Sequence, residues 1–348
     1  MSTAPSDRLI AVLHQGDPAS LDPPIVNACQ VQRDVCAALT GLGWRAEPVF
    51  LDAAFRWVAR VLELGPALVF NAADLGFHYD ITLEPHIAAV LAGTGLEYTG
   101  STVYASSFSS DKYASKIYAA QFGVPVPRVW LATEPDRGSI QLPVIVKTRM
   151  GHNSFGLTAE SVCFDRPALD RALDQLGDRA ALFVLEEYID GDEAAAAFVG
   201  NAPPRPLPHF AIAFGPTFAG RPRILDYAAK WQEGTDAYQH SMPAPAAYSA
   251  ELTHAIDAAL LRVVELFGLR DYARCDVRIR ADAKSTLVPY VIDINANPDL
   301  SRDAGLFRMA RAAGMDYPQL IGAIVDAALA RPSHVPAPGS ASVLGRVG

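Results

Sequence analysis

A chain of 348 residues, half of them apolar and 19% charged, is long enough for two or three globular domains and too apolar for disorder or a fibrous repeat. Its formal net charge of -9 opposes nucleic acid backbones and anionic membranes, so a phosphate-rich ligand has to be met by a few local cations. A small-molecule partner is expected, with no nucleic acid and no membrane. The four cysteines, Cys29, Cys36, Cys163 and Cys275, show neither a CxxC pair nor metal-site spacing, which fits reduced thiols. The polar start and an apolar run of only five residues at 9–13 argue against a signal peptide or membrane span, and a cytoplasmic location is expected.

In chain order, the run at 9–13 predicts a buried strand, and a helix pattern over 25–40 ends at Gly41. A short apolar run at 67–70, a helix at 85–92 and a strand-like segment at 96–98 complete an α/β unit over residues 1–107. Ser109, Ser110 and Asp111 are short polar residues suited to cap a helix that runs to Phe122 and is stopped by Gly123 and Pro125. Strands at 129–131, 144–146 and 182–185 frame a second unit over 108–193. A third, over 194–331, carries strands at 210–214 and 223–227, a helix at 250–267, a hairpin at 276–295 and a helix at 317–330. The Pro/Ser/Gly tail at 332–348 is expected to be disordered.

The hairpin carries the most chemistry. Side chains two apart on a strand share a face, so Asp293 and Asn295 point the same way. A turn centred between residues 284 and 285 places Asp276 opposite Asp293. Opposed carboxylates with apolar neighbours destabilise a strand pair unless a cation lies between them. Mg²⁺ takes oxygen ligands in near-octahedral array and suits Asp276, Asp293 and Asn295, with Mn²⁺ able to substitute. Arg274, on the face of Asp276, is placed to stabilise a transferring phosphoryl group. Two solvent-facing acids on a plain hairpin are the simpler alternative.

Lys147 follows a buried strand and opens a loop containing Asn153, Ser154 and two glycines, whose backbone N–H groups can approach phosphate oxygens closely. Lys112, near a helix N-terminus, and Lys230, in Asp226-Tyr-Ala-Ala-Lys-Trp231, are by themselves ordinary surface lysines. The exit of the strand at 182–185, Glu186-Glu-Tyr-Ile189-Asp-Gly-Asp-Glu193, could read an adenine edge, pack Ile189 on the ring and bind ribose hydroxyls, or be an acidic surface turn.

Together these segments resemble the ATP-grasp superfamily and, within it, the D-alanine-D-alanine ligase-like group. The resemblance runs from about residue 9 to 330 and rests on Tyr98-Thr-Gly-Ser101, Ser110-Asp-Lys112, Val144-Ile-Val-Lys147 with its glycine loop, Glu186-Glu-Tyr-Ile-Asp-Gly, Tyr227-Ala-Ala-Lys-Trp and Ile292-Asp-Ile-Asn-Ala-Asn-Pro298, in the family's order. It implies an N-terminal α/β domain and two α+β domains that clamp ATP between two antiparallel sheets. By motif matching, Lys112, Lys147 and Lys230 meet ATP phosphates, Lys230 from a mobile loop; Glu186 and Ile189 meet the adenine and Glu193 the ribose, and Ser154 of the glycine loop is a further cofactor-binding residue. Asp276, Asp293 and Asn295 match the metal ligands, with Asp293 in place of the more usual Glu, and Arg274 and Lys230 are the catalytic cations. Asn153, Tyr227, Asp299, Ser301 and Arg302 fall where substrates bind.

The activity implied is an ATP-dependent carboxylate-amine ligase that works through an acyl phosphate and releases ADP and phosphate. The departures are local to the substrate region. His14-Gln-Gly-Asp-Pro lacks the family's glycine-rich segment and its amine-binding Glu, Asn153 replaces a serine, Asp299 replaces a glycine, and Ala304 stands where a serine hydroxyl is usual. These changes favour a specialised amino acid or peptide ligase over cell-wall dipeptide synthesis. A D-alanine-D-alanine ligase proper and a non-catalytic ATP-binding scaffold are the alternatives, and the oligomeric state is open, a homodimer being one option.

Overall fold

The computed structural model describes residues 8–134, 136–151, 157–225, 234 and 241–332. Strand β1 (Leu9–His14) is buried along nearly its whole length because both its faces are covered. Helix α1 (Pro23–Gly41) begins with proline in its first turn, where the missing N–H costs nothing. Strand β2 (Arg45–Phe50), helix α2 (Arg56–Leu64), strand β3 (Leu68–Asn71) and helix α3 (Glu84–Thr94) follow, and β1 lies between β2 and β3, parallel to both. Alternation along β1 feeds two cores. Ile10 and Val12 join Val35 and Leu39 of α1, while Ala11 and Leu13 join Trp57, Val61 and Ile87. The strand-like segment expected at 96–98 contributes only a single bridge, Val69 to Tyr98.

Helix α4 (Val103–Ser110) and helix α5 (Lys112–Gln121) meet at Asp111, whose carboxylate accepts from the N–H groups of Tyr113 and Ala114 and is gripped by Arg149. The cap expected at 109–111 therefore starts α5, but the Ser-rich segment before it is itself helical. Strands β4 (Val129–Leu131), β5 (Val144–Thr148) and β6 (Val162–Cys163), helix α6 (Arg166–Leu176) and strand β7 (Phe183–Glu187) complete the second unit. Its four-stranded antiparallel sheet has the order β4-β7-β5-β6, and α6 covers one face through Leu169 and Leu173.

The larger antiparallel sheet is built from β8 (Asp192–Val199), β9 (Arg205–Pro206), β10 (Phe210–Phe214), β11 (Ser241–Pro245), β12 (Tyr272–Ala281) and β13 (Leu287–Asn295), in the order β11-β10-β8-β12-β13, with β9 against β8. Helix α7 (Ala250–Phe267) is capped by the Ser249 hydroxyl and closes on Gly268 in the left-handed conformation. Its face of Leu252, Ile256, Leu260, Val263 and Phe267 packs on β8 and β12. Helices α8 (Gly305–Ala312) and α9 (Tyr317–Leu329) return to the first unit, where Ile321 and Ile324 share a core with α1 and β1. The expected boundaries at 107 and 193 fall inside α4 and β8. Residues 223–225 are not a strand, against expectation; 226–227 and the tail from 333 lie outside the described residues. Among the described residues no helix is long and apolar enough to cross a membrane.

Candidate active site

The hairpin of β12 and β13 pairs Asp276 with Asp293, as expected, by a different route. Its loop is closed by Asp282 N–H to Thr286 O (2.8 Å) and Ser285 N–H to Asp282 O (3.0 Å), with Ser285 at φ +64. The register Ala281 to Leu287 and Val277 to Val291 centres the turn on residue 284, which alone would offset the two acids. A one-residue bulge at Ile292 moves the register back, so Asp293 faces Asp276 and Asn295 faces Arg274. The bulge leaves the Ile292 carbonyl off the ladder, and Lys116 Nζ donates to it at 2.7 Å.

Arg274 grips Asp276 through two hydrogen bonds, Nε to Oδ1 at 2.9 Å and a terminal nitrogen to Oδ2 at 3.1 Å. Such a fork fixes both planes and leaves the guanidinium's remaining donors directed by the carboxylate. Asn295 is buried, and its Oδ1 accepts from the Asn297 N–H at 3.1 Å. Asp293 Oδ1 lies 3.8 Å from Lys112 Nζ.

Lysines converge from two elements. Lys112 and Lys116 lie four residues apart on α5, hence on one face, and Lys147 ends β5 beside Glu186 of β7. The buried Glu186 carboxylate takes Lys147 Nζ on one oxygen and Lys116 Nζ on the other, each at 2.9 Å. The Lys147 contact is an aligned hydrogen bond, whereas the Lys116 contact lacks that alignment and acts through charge. Burial pushes the Lys112 ammonium down to about 8 against the pull of Asp293, with Lys147 and Lys116 adding repulsion. Burial also works against Lys147, but Glu186 and then Asp293 outweigh it and hold that ammonium above its ordinary value. Lys112 Nζ further donates to the Gly151 carbonyl, at the mouth of the glycine loop.

The two antiparallel sheets face each other across an open cleft. Its walls bring together Lys147, Glu186, Ile189 and Glu193 with Asp276 and Asp293. Glu186, expected at the adenine, has both carboxylate oxygens engaged by lysines, which leaves its backbone groups for a base edge. Glu193 is likewise paired, with Arg278 at 2.7 Å, and Arg278 also donates to the carbonyls of Gly191 and Arg223. Arg278 and Lys116 were not singled out from sequence. Strand alternation places Arg278 on the face of Arg274 and Asp276, and the four-residue spacing places Lys116 below Lys112, so both were within reach of periodicity.

Beyond the hairpin, Asp299 accepts from the Ser301 N–H and hydroxyl, each at 2.8 Å, and from Asn27 at 3.3 Å. Burial raises its carboxyl, and Arg274 lowers it. Asp74, which follows β3 and escaped notice in the sequence, is pushed well above the usual carboxylate range by burial and then by the charges of Asp299 and Glu84. Arg302, expected among the substrate contacts, pairs with Asp34 (2.9 Å) and stacks over Tyr317 (4.4 Å). Asn153, Ser154, Tyr227, Lys230 and Trp231 lie outside the described residues.

Two antiparallel sheets closing on a cleft lined by a lysine, an arginine and paired acids define an ATP-grasp carboxylate-amine ligase. The family model described as D-ala D-ala ligase C-terminus matches residues 132–326. The chain belongs to the D-alanine-D-alanine ligase family and is an enzyme of the ATP-grasp ligase type. It is 31% identical over 307 residues to the D-alanine-D-alanine ligase of Moorella thermoacetica, covering 85% of this chain and 92% of that one. In fold it is similar to the D-alanine-D-alanine ligase of Bacillus anthracis solved with ATP (TM-score 0.69, 20% identity, covering 92% of this chain and 97% of that one). A D-Ala:D-Ser ligase from Enterococcus faecalis is similar in the same sense (TM-score 0.71, 16% identity, covering 92% and 99%).

Proposed function

We propose that the enzyme activates a carboxylate with ATP as an acyl phosphate and passes the acyl group to an amine other than that of D-alanine. One observation carries the first part: Lys147 faces Asp276 and Asp293 across a single cleft, with Lys112 3.8 Å from Asp293 and Arg274 bonded to Asp276. In this reading a carboxylate oxygen of the acid attacks the γ-phosphorus and ADP leaves. The amine nitrogen then attacks the acyl carbon, phosphate leaves, and the amine's proton is lost. Lys112 and Lys147 neutralise the phosphates, and Arg274, oriented by Asp276, meets charge on the transferring phosphoryl group. Ile189 and Glu193 line the end proposed for the base and ribose. The roles expected of Ser154, Lys230, Asn153 and Tyr227 remain part of the proposal.

Asp276, Asp293 and Asn295 offer only oxygen donors, and among the described residues no three His, Cys, Asp or Glu side chains form a closed cage. That donor set fits Mg²⁺, which shares its coordination with substrate phosphates and water. Bound there, the ion supplies charge neutralisation between the two acids and the nucleotide.

The second part rests on the substrate end. Asp299 lies close enough to Arg274 to act on its charge, and Arg302 is turned to Asp34, which disfavours a second amino acid's carboxylate in the manner of D-alanine. An amine substrate bearing an extra cation or hydroxyl donor suits that charge. The test is a matrix of amino acids scored for ATP-dependent phosphate release and product mass. Phosphate should appear only when acid and amine are both present, with ADP as the nucleotide product, and D-alanine alone should trail the best pair by about tenfold to a hundredfold in kcat/KM. AMP and pyrophosphate would overturn the acyl-phosphate chemistry, and a preference for D-alanine alone would overturn the substrate reading.

A further inference from the structure

Lys116 is 4% exposed and has no place in the phosphate contacts proposed above. Its ammonium nevertheless joins three elements: it rises from α5, meets Glu186 of β7 at 2.9 Å and donates to the Ile292 bulge carbonyl of β13 at 2.7 Å. On the far side of Glu186, Lys147 makes its own 2.9 Å contact. Two ammonium groups thus share one carboxylate in a buried place, where screening by water is weak.

The charge balance of this trio decides what Lys147 offers the cleft. Paired with Glu186 alone, Lys147 would form a neutral couple. With Lys116 present, the three groups sum to one positive charge, and Glu186 is held back from enclosing Lys147 entirely. We propose that Lys116 is a positioning residue which, by sharing Glu186 with Lys147, keeps positive charge available at the cleft for a polyphosphate. The proposal rests on the reading of the cleft as a nucleotide site. Its bond to the Ile292 carbonyl adds a mechanical role, because that carbonyl immediately precedes Asp293 and is freed by the bulge that sets Asp293 opposite Asp276.

The experiment is a double-mutant cycle on nucleotide affinity, with ADP and adenosine titrated into the full chain in the presence of Mg²⁺. Lys116→Met should weaken ADP about tenfold or more, within the range for removing one partner of a buried charge pair. It should leave adenosine within about threefold, since adenosine carries no phosphate. In a Glu186→Gln background, where Lys147 no longer has an anion to share, the same Lys116→Met change should alter ADP affinity by less than about threefold. An equal loss in both backgrounds, or an equal loss for adenosine and ADP, overturns the role of Lys116. Lys116→Arg keeps the charge and should stay within about threefold of the parent for ADP. A tenfold loss there overturns the charge sharing even where Lys116→Met does not fold. Absence of ADP binding by the parent chain removes the nucleotide reading itself, and is thereby distinguished from failure of the Lys116 role alone.

Discussion

Two buried charge clusters in this molecule are built on opposite plans. At the junction of the first unit with β12, Asp271 is fully buried at φ +65 and accepts from the Gly100 N–H (2.7 Å), Asn201 (2.8 Å) and Arg331 (2.6 Å). Arg331 also donates to the Tyr98 carbonyl at 2.7 Å, and Arg270 stacks over Tyr98 while donating to the Gly100 carbonyl. Burial pushes the Asp271 carboxyl upward, and Arg331, Asn201 and Gly100 pull against it. In the cleft, by contrast, two carboxylates oppose each other across the hairpin, and two lysines divide one glutamate. The junction closes its charges on itself and fixes a chain crossing; the cleft keeps like charges close, an arrangement that a bound phosphate and cation would complete. Removing a charge should therefore harm folding at the first and chemistry at the second.

Breaking the cleft side gives the largest expected effect. Asp293→Ala should lower turnover by roughly 10³-fold, the scale of several kcal/mol of lost charge stabilisation. Because it removes one of two repelling carboxylates, its thermal midpoint should stay within roughly 2 °C of the parent. Near-normal Mg²⁺-dependent activity in this variant would show that the acids are not metal ligands.

Breaking the junction should reverse that pattern. Asp271→Ala removes the nearer of the two acids beside the buried Arg331 guanidinium, leaving Glu97 at 3.7 Å, and puts a residue with no side-chain hydrogen bond at a positive φ, so a loss of about 3 kcal/mol in stability is expected. Asp271→Asn, which tolerates the left-handed conformation and keeps a polar oxygen, should lose clearly less. Denaturant unfolding of both variants beside the parent decides it, and KM values measured on the folded fraction should match the parent. A stable Asp271→Ala protein with impaired KM would erase the contrast between the two clusters.

His14 sharpens the comparison with the smallest effect, because it is half-buried and no charged partner meets it among the described residues. Partial burial pulls its imidazole down to about 4, and its Nδ1 has no hydrogen-bond partner among the described residues. A folded-state value below the unfolded one means that the unfolded chain takes up the proton first. The contribution of His14 to stability is thus complete above pH 6.5 and disappears as pH falls toward about 4. Unfolding midpoints measured across that window should fall less steeply for His14→Gln than for the parent, and identical slopes would contradict the assignment.

By itself, the sequence determined the order of the elements with strong periodicity and the residues that share a face. The buried strand β1, helix α7 with its serine cap and glycine stop, and the alternation of Asp293 with Asn295 follow from local rules that act over a few residues. Strand β2 escaped because Arg45-Ala-Glu-Pro-Val-Phe50 is an edge strand, half exposed and carrying a proline, with little hydrophobic pattern to read. Helix α4 was hidden by its serines, residues that favour caps over helix interiors.

Only the tertiary structure decided which charges meet. Residue types could nominate Lys112, Lys147 and Glu186, but the sharing of Glu186 with Lys116 depends on the packing of α5 against β7, across 70 residues of chain. The Ile292 bulge, which corrects a turn centred one half-residue away from its expected place, depends on contacts on both sides of β13. Arg302 meets Asp34 for the same kind of reason: a flexible cation goes to the best-placed anion and aromatic face, and those lie on α1 and α9. Local periodicity sets the direction in which a side chain leaves its own backbone, whereas a charge pair is fixed by distances between elements that the periodicity does not contain.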